Sequence, residues 1–143
     1  MNSILVLCEG NICRSPMAQG VLAAALPKMQ VRSAGLGALI GMPADEIAVR
    51  LMKERSIDIA EHRATQINRQ MCLDADVVLV MGHEQRSRVE SLYPQSRGRV
   101  FRLGEYTNQD IPDPYRQPEA AFRHSLTLIQ EASQEWLRRI HKL

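Results

Sequence analysis

Cys8-Glu9-Gly10-Asn11-Ile12-Cys13-Arg14-Ser15-Pro16 decides the reading of this chain. Ile4-Leu5-Val6-Leu7 stands just before it, a compact apolar run that reads as a buried strand. Met17 to Leu26 follows, rich in Ala and Leu, and reads as a helix stopped by Pro27. Ser15 suits an N-cap and Pro16 a first helical position. A thiol therefore ends a strand, and a loop hands the chain to a helix start. Backbone N–H groups and the positive end of a helix converge at such a place, which favours an anion. Five residues separate Cys8 from Arg14, enough for the loop to curl around a tetrahedral anion. The Arg14 guanidinium matches phosphate geometry, and the same positive field favours a thiolate at Cys8. Cys8 could then attack phosphorus while the loop holds the oxygens. The spacing alone is a weak signal; strand before and helix after give it weight.

The rest of the chain alternates in the same way. Val31 to Ala34 reads as a second strand, and Gly35 to Pro43 as a glycine-rich loop. Ala44 to Arg55 has helical spacing of apolar residues, and Ile67 to Cys72 a short helix or turn. Val77 to Met81 is a third strand, Glu84 to Leu92 a helix, and Arg99 to Leu103 a fourth strand. Gly104 to Pro118 is a long loop, and Glu119 to His141 a last helix whose apolar stripe, including Trp136, reads as core. Strands apolar on both faces that alternate with helices imply a parallel sheet covered on two sides. Right-handed crossovers make it an α/β doubly wound fold, a single domain over residues 1–143. Ligands bind such sheets beyond the C-terminal strand ends, where Cys8 falls.

Composition narrows the class. Hydrophobic content of 45% and charged content of 24% suit a globular protein. A net charge of +2 is too small to suggest nucleic-acid binding. No apolar run suits membrane insertion, and the N-terminal stretch lacks the basic start of a secretory signal. Three cysteines fit a reducing compartment better than a disulfide scaffold, so a cytoplasmic setting is expected. Their spacing suits no zinc site, and neither metal nor cofactor is expected.

Cys8 to Pro16 resembles the phosphate loop of the low-molecular-weight protein-tyrosine phosphatases. Asp113-Pro114-Tyr115 resembles that family's general-acid loop. Ser33-Ala34-Gly35, Glu61-His62 and Gln66-Ile67 also stand where its motifs fall. The resemblance covers essentially the whole chain and implies four strands in order 2-1-3-4. It implies Cys8 as nucleophile, Arg14 as phosphate ligand and Asp113 as general acid. Read bare, Asp113-Pro114 is a turn at least as readily as an acid, and Asp110 is a rival carboxylate in the same loop. Glu9, Gly10, Asn11, Ile12, Cys13 and Ser15 would line the phosphate site, with Leu39 and Tyr115 as its walls. Asn11, Ser15, Ser33 and His62 would hold the loop rigid; read bare, His62 is a surface or satisfied histidine.

Other positions refine the resemblance. Leu39, where many members carry a large aromatic, and Arg116, in place of a second tyrosine, resemble the bacterial subgroup that acts on autophosphorylated kinases of capsule and exopolysaccharide export. The partner implied is a membrane tyrosine kinase with a phosphorylated cytoplasmic tail, met by a monomer. Ile12 favours phosphotyrosine over phosphoarginine, for which relatives carry Thr. Glu9 is unusual beside a phosphate, and its carboxylate is expected to point outward. Cys13 resembles a cysteine that pairs reversibly with the nucleophile, or is simply a small buried residue; Cys72 reads as core. Arg86, Arg88, Arg97, Arg99 and Arg102 read as a solvated face, or as a dock for an acidic tail. Two rival functions share the fold: an arsenate reductase, which in one branch needs two further close cysteines, and a phosphotyrosine-binding module without turnover.

Overall fold

The strand that opens the chain, β1 (Ser3–Cys8), lies in the middle of a four-stranded sheet. Its neighbours are β2 (Gln30–Gly35) and β3 (Val77–Val80), and β4 (Val100–Arg102) completes the order 2-1-3-4. Every pairing is parallel, with Cys8 opposite Gly35 and Val6 opposite both Ser33 and Leu79. The computed structural model describes residues 1–142.

Alternation along the strands sorts two cores. Ile4, Val6, Cys8 and Leu79 face one side, where α1 (Arg14–Ala25), α2 (Glu46–Lys53) and α5 (Glu119–His141) cover them. Leu5, Leu7, Val78 and Val80 face the other, under α3 (Arg69–Asp74) and α4 (His83–Leu92). Helices on both faces require strands without a polar side, which is why β3 is buried at all four positions. Trp136 is buried on α5 and donates its indole N–H to the Leu103 carbonyl at 2.8 Å, so the stripe on this helix is core.

Helix starts depart from the sequence reading where a local cap fixes the first turn or a polar residue is engaged elsewhere. Ser15 does not cap α1: the helix begins at Arg14, and no side chain caps it. Pro16 is therefore the third helical residue, still within the turn whose N–H groups lack helical acceptors. The start of α2 is set by Asp45, whose Oδ1 accepts from Ile47 N at 2.9 Å, so the helix is shorter than Ala44 to Arg55. Asn68 does the same for α3, accepting from Met71 N at 2.8 Å. The expectation of a solvated arginine face is corrected in part. Arg102 is buried and bonds Asp110, Arg99 donates to the Ala75 carbonyl, and Arg88 pairs with Glu9. Among the described residues, no helix is long and apolar enough to cross a membrane.

Candidate active site

The loop after β1 hands its carbonyl groups, one after another, to the surrounding scaffold. Cys8 O accepts from Leu36 N at 3.0 Å, Glu9 O from Gly37 N at 2.9 Å and Gly10 O from Leu39 N at 3.1 Å. Asn11 O meets His62 Nε2 at 2.7 Å, Ile12 O accepts from Asp45 N at 2.9 Å, and Cys13 O from Met17 N at 3.3 Å. In a trans peptide the C=O and the next N–H point in opposite directions. Six carbonyls turned outward therefore turn the N–H groups of Glu9 through Arg14 toward the inside of the loop. Among the described residues, the N–H groups of Gly10, Asn11, Ile12 and Cys13 donate to no protein acceptor. Buried amides are seldom left that way unless something else satisfies them.

The fold makes this curl possible at two points. Asn11 adopts a left-handed backbone with φ 59°, which Asn tolerates better than most residues. Gly35, beside Cys8 in the sheet, lets the loop close in: a Cβ there would lie 2.7 Å from the Glu9 carbonyl oxygen.

Beneath the loop lies a hydrogen-bond network. Asn11 is fully buried; its Nδ2 donates to Ser15 Oγ at 2.7 Å and Ser33 Oγ at 3.1 Å, and its Oδ1 accepts from Thr65 N at 2.9 Å. Ser33 Oγ donates onward to Gln19 Oε1 at 2.6 Å. Ser15 Oγ lies 2.9 Å from Cys8 Sγ. Burial holds the His62 imidazole below its ordinary pKa, partly opposed by its bond to the Asn11 carbonyl, so the ring is a neutral donor at Nε2. Asn11 and Ser15 thus face away from the opening, behind the loop. Gln19 and Thr65 are members the sequence reading missed. Thr65 contributes only main chain, which leaves no side-chain signal.

The opening is a cleft of about 140 Å³. Cys8, Glu9, Gly10, Ile12, Cys13 and Arg14 form its floor, and Leu39, Tyr115 and Asp113 its rim. The Arg14 side chain is buried; Nη1 donates to the Ile111 carbonyl at 2.9 Å and Nε has no hydrogen-bond partner among the described residues. Its Nη2 lies 3.5 Å from Asp113 Oδ2, while Asp113 Oδ1 accepts from Tyr115 N at 3.1 Å. Glu9 turns its carboxylate to Arg88, 2.6 Å away on α4, and that guanidinium holds it below the usual carboxylate range. A Cβ on Gly37 would lie 2.9 Å from the same carboxylate. Leu39 and Tyr115 remain 40% and 37% exposed, open to a ligand at the rim.

The three thiols are free and buried. Burial pushes Cys13 far above the ordinary thiol range. Cys72 lies in the core on the other face of the sheet, its thiol pushed up by burial to about 11. It is badly placed to relay electrons from Cys8.

A parallel sheet whose first strand ends in a thiol, inside an amide cup closed by a guanidinium, defines a phosphate-loop α/β protein with a cysteine at its centre. The chain belongs to the low-molecular-weight phosphotyrosine protein phosphatase family, a class of hydrolases: the model of that family matches residues 3–143. It is 49% identical to the probable low-molecular-weight protein-tyrosine-phosphatase EpsP of Ralstonia solanacearum, over 100% of this chain and 99% of the relative. It is 40% identical to the low-molecular-weight protein-tyrosine-phosphatase Wzb of Escherichia coli K12, over 94% and 92%. Vibrio vulnificus Wzb, solved in complex with benzylphosphonate, superposes with a TM-score of 0.93 at 40% identity, covering 96% of this chain and 98% of that one.

Proposed function

We propose that this chain hydrolyses phosphotyrosine in proteins through a phosphocysteine intermediate. Cys8 Sγ attacks phosphorus and the bond to the phenolic oxygen breaks. Inward amides and Arg14 Nε take the phosphoryl oxygens as their charge grows. Asp113 gives its proton to the departing oxygen, since a phenolate leaves poorly at neutral pH. Water then attacks the phosphocysteine, Asp113 takes its proton, the S–P bond breaks and inorganic phosphate leaves. The outward run of carbonyls from Cys8 to Cys13 is the observation that carries the reading, because it leaves a row of amide donors around the thiol.

Ile12 and Leu39 give the cleft apolar walls suited to an aryl ring, with Tyr115 opposite to stack on it. The finer reading is a monomer acting in the cytoplasm on the phosphorylated tail of a membrane tyrosine kinase of polysaccharide export. The subgroup resemblance at Leu39 and Arg116, and the similarity to EpsP and Wzb, support it.

The test is aryl-phosphate hydrolysis at mildly acidic pH in the presence of a chelator. Cys8→Ser is expected to abolish turnover. Asp113→Ala is expected to lose about 10²- to 10⁴-fold, the usual scale of general acid–base help. Activity that survives Cys8→Ser overturns the mechanism.

A further inference from the structure

Asp110 belongs to the same loop as Asp113 but takes no part in the chemistry above. Its carboxylate has an assigned place. Oδ1 accepts from Arg102 Nη1 at 3.0 Å, and Oδ2 lies 3.4 Å from His83 N at the start of α4. Arg102, the last residue of β4, is buried, and its other contacts are longer: Asn108 Oδ1 at 3.4 Å and Glu105 at 4.0 Å. Gly82 makes room, for a Cβ there would meet Asp110 Oδ2 at 2.8 Å.

The next two residues are held just as firmly. Ile111 N donates to Met81 O at 2.8 Å, and Ile111 O accepts from Arg14. Pro112 O accepts from the buried Ser125 hydroxyl on α5 at 2.8 Å. Three successive residues are thus tied to β4, α4, the end of β3, α1 and α5. Asp113 follows at once, with a half-exposed carboxylate whose hydrogen-bond and ion-pair partners among the described residues are Tyr115 N and Arg14. Its aim depends on where the chain before it is fixed.

We propose that Asp110, anchored by Arg102 and the N-terminus of α4, is a positioning residue for the proton delivered by Asp113. This rests on the reading of Asp113 as the proton donor. A misplacement of about 1 Å can cost on the order of 10²-fold in rate. Loss of the anchor falls chiefly on proton delivery, because the thiol and amide cup stand on other elements and Ile111, which holds Arg14, keeps its own bond to Met81 O.

That selectivity defines the test. A phenol leaving group needs the proton, whereas a dinitrophenolate leaves without it. kcat/KM on phenyl phosphate and on 2,4-dinitrophenyl phosphate reports the step in which that group departs. Asp113→Asn provides the benchmark, with a large loss on the first substrate and little on the second. Asp110→Ala is expected to lose roughly 10- to 100-fold on phenyl phosphate and less than about threefold on the dinitrophenyl ester. Gly82→Ala, which pushes on the same carboxylate from outside the loop, is expected to show the same pattern more weakly. Asp110→Asn provides a third variant of the same shape if Asp110→Ala does not fold. Equal losses on both substrates, or no loss on either, overturn the positioning role. If Asp113→Asn itself shows no dependence on the leaving group, the assignment of the proton donor fails first, and the role of Asp110 fails with it.

Discussion

Ser15 Oγ stands 2.9 Å from Cys8 Sγ while accepting a hydrogen from Asn11 Nδ2 at 2.7 Å. A hydroxyl has one hydrogen to give, and an amide NH₂ accepts none. Toward a thiolate, which has no hydrogen of its own to give, the Ser15 hydroxyl is the donor. A hydrogen bond to a charged group contributes about 1.5–3 kcal/mol. When the S–P bond breaks, sulfur leaves with a full negative charge, so this bond counts most in the second step. Ser15→Ala is expected to lower kcat by roughly 10- to 100-fold and kcat/KM by less. Stability should fall as well, by about 1–3 kcal/mol, because the buried Asn11 Nδ2–H loses its acceptor. Rapid-quench kinetics should show the phosphoenzyme accumulating. An unchanged kcat would contradict the proposed role.

Asn11 combines a left-handed backbone with a fully buried carboxamide that bonds Ser15, Ser33 and Thr65 N. Asn11→Ala keeps the awkward backbone, removes the acceptor of the partly buried Thr65 amide and takes the Nδ2 donor from the buried Ser15 and Ser33 hydroxyls. Each buried group left unpaired costs about 1–3 kcal/mol. A loss of roughly 2–4 kcal/mol in urea unfolding is expected, together with weaker inhibition by inorganic phosphate. Phosphate affinity held at the wild-type value would show that the cup does not depend on this residue.

His62 adds a pH dependence of known sign. Burial lowers its folded pKa below the ordinary 6.5. Between the folded value and 6.5 the unfolded chain binds more protons, so stability rises with pH through that window. It is complete above about 6.5 and falls as the pH drops toward the folded value. The wild type is expected to lose more Tm between pH 8 and pH 5 than His62→Gln does. Parallel Tm-against-pH curves for the two proteins would remove His62 from the account.

The site divides into what local sequence displays and what only the fold assembles. Cys8, Arg14 and the strand-loop-helix around them were legible because the whole unit lies within a few residues. Read bare, Ser15 suits a cap, and only the resemblance pointed to its actual partners, Cys8 and Asn11, which lie across a loop. Arg88 and Arg102 looked like surface charge because one partner is 79 positions away and the other sits in a proline-rich loop. Gln66 stood in a recognised motif, yet its work emerges only in three dimensions. It accepts from Ala38 N and donates to the Leu36 carbonyl, holding the loop whose N–H groups donate to the phosphate-loop carbonyls.

The Glu9–Arg88 pair predicts a second pH effect, of opposite molecular origin to that at His62. Arg88 depresses the folded pKa of Glu9 below 4.5. The contribution is present above about 4.5 and disappears as the pH falls through the folded value. Both side chains are partly exposed, so solvent screening limits it to about 0.5 kcal/mol or less. Glu9→Gln is expected to be slightly less stable than wild type at pH 7 and to converge with it as the pH falls through the folded value. A gap that widens in acid would mean that Glu9 is destabilising where it stands.

The thiols should also separate by reactivity, because only Cys8 stands before a positive cup. Cys13 and Cys72 are buried, and burial pushes both thiols upward, Cys72 to about 11, so they remain protonated at neutral pH. Thiolates and not thiols react with alkylating agents. Iodoacetate carries a carboxylate that the inward amides and Arg14 would hold, which delivers its carbon to sulfur. One equivalent is expected to react at pH 7, at Cys8 by peptide mapping, with loss of activity. Inorganic phosphate should slow the reaction by competing for the cup, and Arg14→Lys should slow it too, because an ammonium lacks the planar fork. Modification of Cys13 or Cys72 before Cys8, or a rate indifferent to phosphate, would show that the amides do not gather anions around the first thiol.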